Sequence, residues 1–191
     1  MKKTNKILSL VLAVVMLLST MGVSAFAAST SKTGLYKVNG TWCYLKNGVV
    51  AKSANGLFKH TNGVWYYVDD GKIDWSKTGL VKHTNGIWYY VKDGRIDWSK
   101  TGLVKHSSKW YYVEDGRVNF DFTGLAKRNG IWYYVEDGRV DFDFTGLAKR
   151  NGIWYYVKDG RVDFDFTGLA KRSGKWYYVE DGRVDFDFSG L

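Results

Sequence analysis

Apolar and polar residues alternate along this chain in short bursts, and the bursts recur. In the segment Gly124-Leu-Ala-Lys-Arg-Asn-Gly-Ile-Trp-Tyr-Tyr-Val-Glu-Asp-Gly-Arg-Val-Asp-Phe-Asp-Phe-Thr145 the period is two, and Asn129-Gly130 and Asp137-Gly138 interrupt it. Period-two alternation predicts strands, and an Asn-Gly or Asp-Gly pair between strands predicts a two-residue type I′ turn. Each such segment therefore offers up to three short strands. No stretch keeps apolar residues at a 3.6-residue spacing, and Gly, β-branched and aromatic residues dominate, so helix has little claim.

The segment is one copy of a repeated unit. Its opening Gly-Leu falls at Gly34, Gly56, Gly79, Gly102, Gly124, Gly146, Gly168 and Gly190, which gives about seven repeats of 22 or 23 residues and the start of an eighth. A unit this small cannot bury its own apolar residues and must stack on its neighbours. The fold expected is all-β, a β-solenoid of stacked β-hairpins. Two early units, as between Leu80 and Trp88, carry one residue more than later ones, and it belongs in the Asn-Gly loop.

Two registers are open. The Asp137-Gly138 turn pairs Val135 with Val140, Tyr133 with Phe142 and Ile131 with Phe144, and puts these six residues on one face. Tyr134 then lies across from Asp141, and Trp132 across from Asp143. The Asn151-Gly152 turn sets Trp154 against Lys149 and Tyr156 against Leu147. Either way Trp and the second Tyr of each Trp-Tyr-Tyr share a face, because side chains alternate along a strand. The first tyrosines (Tyr66, Tyr89, Tyr111, Tyr133, Tyr155, Tyr177) are expected in the core. The candidate ligand-binding residues are the others: Trp65, Tyr67, Trp88, Tyr90, Trp110, Tyr112, Trp132, Tyr134, Trp154, Tyr156, Trp176 and Tyr178.

Composition sharpens this. Aromatic residues are 17% of the chain, with 9 Trp and 14 Tyr, more than a core of this size needs. Rings lining gaps between rungs suit a sugar face or a quaternary ammonium. The structural reading is that they only stack rung on rung. Residues 1–27 are set apart: Lys2, Lys3 and Lys6 precede an apolar run from Ile7 to Leu18, and Ala25-Phe-Ala27 supplies small residues for cleavage. That is the pattern of a secretory signal peptide, too short to span a bilayer, and nothing after it is apolar enough to cross a membrane. Residues 28–191 are then the repeat array of a secreted protein, or one attached non-covalently to a cell wall, since a chain with 0 Pro has no Leu-Pro wall signal.

The formal charge is +9. Without the three leader lysines the excess lies in residues 28–101, while residues 102–191 balance. An exported basic surface meets anionic wall polymer, and no nucleic-acid motif accompanies it. The single Cys43 stands where later units have Tyr and is expected to be a small buried residue, with intermolecular pairing as the alternative. His60, His83 and His106 share one repeat position, but it becomes Arg128, Arg150 and Arg172, so a basic ladder is preferred to a metal site. For the repeated Asp141 and Asp143, pairing with Arg139 is preferred to Ca²⁺. No cofactor is expected. Catalysis has no candidate either, because every polar constellation is copied and an active site is normally unique.

Gly-Ile-Trp-Tyr-Tyr-Val at 130–135, Gly-Val-Trp-Tyr-Tyr-Val at 63–68 and the Thr-Gly opening each unit resemble the choline-binding and glucan-binding cell-wall repeats of Gram-positive bacteria, including the similar repeats of clostridial toxins. The resemblance covers residues 33–191. It implies ligand sites between consecutive hairpins, each built from the Trp of Trp-Tyr-Tyr, a Tyr from a neighbour and a further Trp after the Gly. Here Gly-Leu replaces that Gly-Trp, at Leu35, Leu57, Leu80, Leu103, Leu125, Leu147 and Leu169, with Trp75 and Trp98 able to compensate only in early repeats. Choline is thus a poorer fit than a cell-wall polysaccharide or teichoic acid. The function expected is an exported, non-catalytic module that binds such a glycopolymer through aromatic grooves. The alternative is a structural or adhesive repeat protein with a protein or host-surface partner.

Overall fold

The computed structural model describes residues 32–189, so the expected leader, 1–27, lies outside the described residues. Among the described residues there are 21 strands, all pairing antiparallel, and no helix. Each repeat contributes three. In the copy around Trp132 they are Gly124–Arg128, Ile131–Glu136 and the two-residue strand Arg139–Val140.

Both registers read from the sequence exist at once, in different parts of the unit. Across Asn129-Gly130 the first two strands pair fully, with Gly124 opposite Val135, Leu125 opposite Tyr134 and Lys127 opposite Trp132. The φ angles of 48° at Asn129 and 85° at Gly130 are the positive values that a type I′ turn needs. In the longer repeats the extra residue sits in this loop: His60 and Val64 close a three-residue turn, Thr61 to Gly63, through a 2.8 Å bond from the His60 amide to the Val64 carbonyl.

Across Asp137-Gly138 the pairing is shorter than expected. Val135 faces Val140 and Glu136 faces Arg139. One more bond follows, from the Asp141 amide to the Tyr134 carbonyl at 3.1 Å, and the strand ends. Tyr133 therefore does not pair with Phe142, nor Ile131 with Phe144, and the six residues do not share a buried face: Phe142 and Ile131 are exposed. Two causes act together. The Asp143 amide turns back onto the Asp141 carboxylate at 2.9 Å, an Asx turn that breaks the extended chain. The outer edge of the middle strand is also already taken, since Tyr133 pairs with Arg161 of the next repeat and the Tyr134 amide donates to Gly160 at 2.9 Å.

This sharing joins the solenoid, because from the second repeat on each short third strand lies on the middle strand of the preceding repeat. The apolar core is likewise formed between units. Leu125 is buried against Ala148 and Val157 of the next repeat, with Trp132, Tyr134, Tyr155 and Val162 around them. The same cluster recurs one step on, with Leu147, Ala170 and Val179. Val68, Val91, Val113, Val135, Val157 and Val179 are fully buried, one in each repeat from the second on, and Leu45 takes the position in the first. In the last described repeat, Leu169 is 44% and Trp176 59% exposed. Cys43 is buried, as expected for a small residue in a Tyr position, and its thiol points at the Thr41 carbonyl 3.7 Å away.

Candidate functional site

Stacking hairpins leaves two kinds of concavity between repeats, and Trp132 lines one of each. The first is a cage. Trp110 meets Tyr133 and Phe142 of the following repeat above Leu103 and Val140, around a cavity of about 220 Å³ that Arg128 and Arg161 also line. The next junction repeats it with Trp132, Tyr155, Phe164, Arg150 and Arg183, in about 90 Å³. The ring standing edge-on to the first Tyr comes from one repeat position throughout. It is Trp75 on Tyr66 at 5.7 Å, Trp98 on Tyr89 at 5.8 Å, Phe120 on Tyr111 at 6.3 Å and Phe142 on Tyr133 at 6.2 Å. A third ring thus accompanies later cages as well as early ones, as Phe where the early repeats have Trp. Trp75, Trp98, Phe120, Phe142, Phe164 and Phe186 form an exposed aromatic ladder along the array.

The second concavity is an open groove. Tyr112 and Phe122 of one repeat, Lys127 and Trp132 of the next, and Lys149 and Arg150 of the one after bound about 390 Å³. Near the N-terminal end, Tyr44 of the first repeat, Phe58, Lys59 and Trp65 of the second, and Lys82 and His83 of the third bound about 470 Å³, with Phe58 in the repeat position of Ala126 rather than of Phe122. The floor is aromatic and the rim cationic.

The candidate residues fall as follows. Trp65, Trp88, Trp110, Trp132 and Trp154 are half-buried, and Trp176 is exposed. Tyr67, Tyr90, Tyr112, Tyr134, Tyr156 and Tyr178 are half-buried. Trp132 and Tyr134 share a face of their hairpin, yet the Tyr that joins Trp132 in the groove is Tyr112, from the repeat before. The second tyrosines stack on their own repeats: Tyr112 on Phe122 at 3.8 Å and Tyr134 on Phe144 at 3.7 Å, with Lys77 in the place of that Phe 4.7 Å from Tyr67. Burial, and after it Glu114 or Glu136, raises the phenols of Tyr112 and Tyr134 above the ordinary tyrosine range. The first tyrosines were expected in the core, but only Tyr89 is buried. The others are half-buried, because they wall the cages. Alternation along one strand could not reveal this, since both faces of each inner hairpin meet a neighbour.

Charged groups reach the rings too. The guanidinium carbons of Arg128, Arg150 and Arg172 lie 4.1, 4.1 and 3.9 Å from the ring centroids of Trp110, Trp132 and Trp154, each in the repeat before. In early repeats the same position is His, edge-on to Trp: His60 on Trp42 and His83 on Trp65 at 5.1 Å, His106 on Trp88 at 4.9 Å. His60 and His83 are fixed further by accepting, on Nδ1, the amides of Asn62 and Asn85 at 3.2 Å. Arg139 was expected to relieve the Asp141–Asp143 carboxylates. Its guanidinium instead lies over Tyr111 and Phe120 at 5.7 Å, while Asp141 is engaged by the Asp143 amide. Asp74 and Asp97 are held below the usual carboxylate range first by the hydroxyls of Ser76 and Ser99, each 2.6 Å away. Among the described residues no group of three or more His, Cys, Asp or Glu converges.

The family model for the choline-binding repeat matches seven times, over residues 31–51, 53–74, 76–97, 99–119, 121–141, 143–163 and 165–185. The chain belongs to the choline-binding repeat family, and its array is a surface-binding repeat module. Among solved structures it is similar to choline binding protein F from Streptococcus pneumoniae, with 30% identity over 81% of this chain and a TM-score of 0.32. The chain spans 52% of the length of that protein. It is also similar to an alternansucrase in complex with isomaltononaose, at 20% identity over 80% of this chain and 15% of the other, with a TM-score of 0.28. No curated protein matches.

Proposed function

We propose that this chain is an exported, non-catalytic module that binds a cell-wall or surface glycopolymer, a glycan or teichoic acid, along its aromatic grooves, and that it is held at the surface non-covalently. The observation that carries this reading is the groove of Tyr112, Phe122, Lys127, Trp132 and Lys149, whose Tyr, Trp and two Lys positions line a second groove as Tyr44, Trp65, Lys59 and Lys82. A pyranose needs one flat aromatic face, which a half-buried Trp supplies, and lysine ammoniums at the rim suit phosphodiesters of the same polymer. Choline is a secondary ligand in this reading. It is favoured at junctions such as Trp65, Tyr89 and Trp98, where His83, perpendicular to the indole, stands in the repeat position that later carries a guanidinium over the ring.

The test is co-sedimentation with purified walls, intact and stripped of teichoic acid, in the presence of soluble glucan, peptidoglycan fragments, choline or salt. Retention that glucan or teichoic acid fragments release, and choline releases poorly, supports the proposal. Efficient release by choline alone, with sugars inert, makes the cages rather than the grooves the principal site. Absence of wall binding, with retention on host surfaces or proteins, points to the adhesive alternative.

A further inference from the structure

Two guanidiniums converge on each complete cage in the second half of the array. Arg128 lies 4.1 Å from the Trp110 ring and Arg161 5.8 Å from the Tyr133 ring, on one cavity. At the next junction Arg150 is 4.1 Å from Trp132 and Arg183 5.9 Å from Tyr155. Neither cavity has a carboxylate in its lining. Stacking uses only the flat face of a guanidinium and leaves its N–H fork in the plane, free for an acceptor. Two like charges beside one cavity repel, and an anionic oxygen group between them relieves the repulsion.

We propose that the cages at Trp110 and Trp132 are receptors for a phosphate group, and that Arg128 and Arg150 occupy the ring face a quaternary ammonium would otherwise take. The junction at Trp154 has Arg172 on its ring at 3.9 Å, but its second guanidinium would come from a further repeat, so among the described residues it is half a receptor. The three junctions with His60, His83 and His106 lack the first guanidinium. The array is thus divided by one repeat position, His in its first part and Arg in its second. This deepens the surface-polymer reading and rests on it only for the source of the phosphate, since wall retention through the grooves does not require the cages.

The test follows the indole N–H resonances of the isotope-labelled full chain during titration with inorganic phosphate, glycerol phosphate, poly(glycerol phosphate) and choline chloride. The phosphate probes should shift Trp110 and Trp132, with choline inert there. Tighter binding of the polymer than of inorganic phosphate identifies a phosphodiester as the source, and the reverse order identifies free phosphate. In the Arg128→His, Arg150→His variant, which carries the residue of the earlier repeats, phosphate affinity at these two junctions should fall at least tenfold and a choline response should appear. Phosphate binding unchanged in that variant overturns the proposal. Should the variant not fold, the unaltered chain decides: choline shifting Trp110 and Trp132 where phosphate does not overturns it equally.

Discussion

The carbonyl of Gly116 accepts a hydrogen bond from the amide of Tyr90, one repeat earlier, at 2.8 Å, and its own amide donates to Lys100 at 2.9 Å. With φ at 72°, a Cβ on Gly116 would stand 2.7 Å from the Asp97 carbonyl oxygen and 2.9 Å from the Trp98 Cα. The Asp-Gly turn is therefore a plug that seats one repeat against the backbone of the one before. Gly116→Ala should destabilise the array by about 2 to 4 kcal/mol, from left-handed backbone strain plus overpacking. Gly130→Ala, with φ at 85° and nothing within 4 Å of its Cβ, should cost only about 1 to 2 kcal/mol. Urea unfolding of the two variants measures the difference, and equal losses would show that the seat yields.

Val113 is fully buried and packs with Leu80 and Val104. Val113→Ala should cost about 2 to 3 kcal/mol, two methyl groups plus the cavity they leave. Because stability is carried by interfaces between neighbours, the loss should appear as broadened or split unfolding centred on that junction. A single sharp transition simply displaced would mean the array melts as one unit.

Lys127 and Lys149 edge the groove and are exposed. Replacing both with Gln should change stability by no more than about 0.5 kcal/mol each, while wall binding weakens and loses part of its salt dependence. Sedimentation at several salt concentrations reads this directly. An unchanged salt slope would remove the lysine rim from the mechanism.

Tyr112 and Tyr134 have phenols raised first by burial. A group whose pKa is higher folded than unfolded contributes stability below the unfolded value, near 10, and that stability is lost as pH rises through the folded value. The array should therefore weaken from about pH 10 upward. Tyr112→Phe with Tyr134→Phe should flatten that loss without changing stability near neutral pH by more than about 1 kcal/mol. Melting curves across the alkaline range provide the check.

Much of one repeat was legible in the chain alone, for local reasons. Asn129-Gly130 and Asp137-Gly138 adopt the positive φ angles that their residue types favour, and strand alternation put Trp132 and Tyr134 on one face. The early extra residue entered the loop before Val64, where insertion leaves the ladder intact. What only the tertiary structure decided is which copy of a residue meets which. Tyr133 stands against Trp110, Tyr112 joins Trp132 and Arg150 covers Trp132, all across junctions. The third strand stops at Val140 because the next repeat already holds the edge it would have paired with. A periodic sequence carries the same local signal in every unit, so it specifies the hairpin. The step from one hairpin to the next is set by backbone hydrogen bonds such as Tyr90 to Gly116 and by rings filling the space between, and that step makes the cages and grooves.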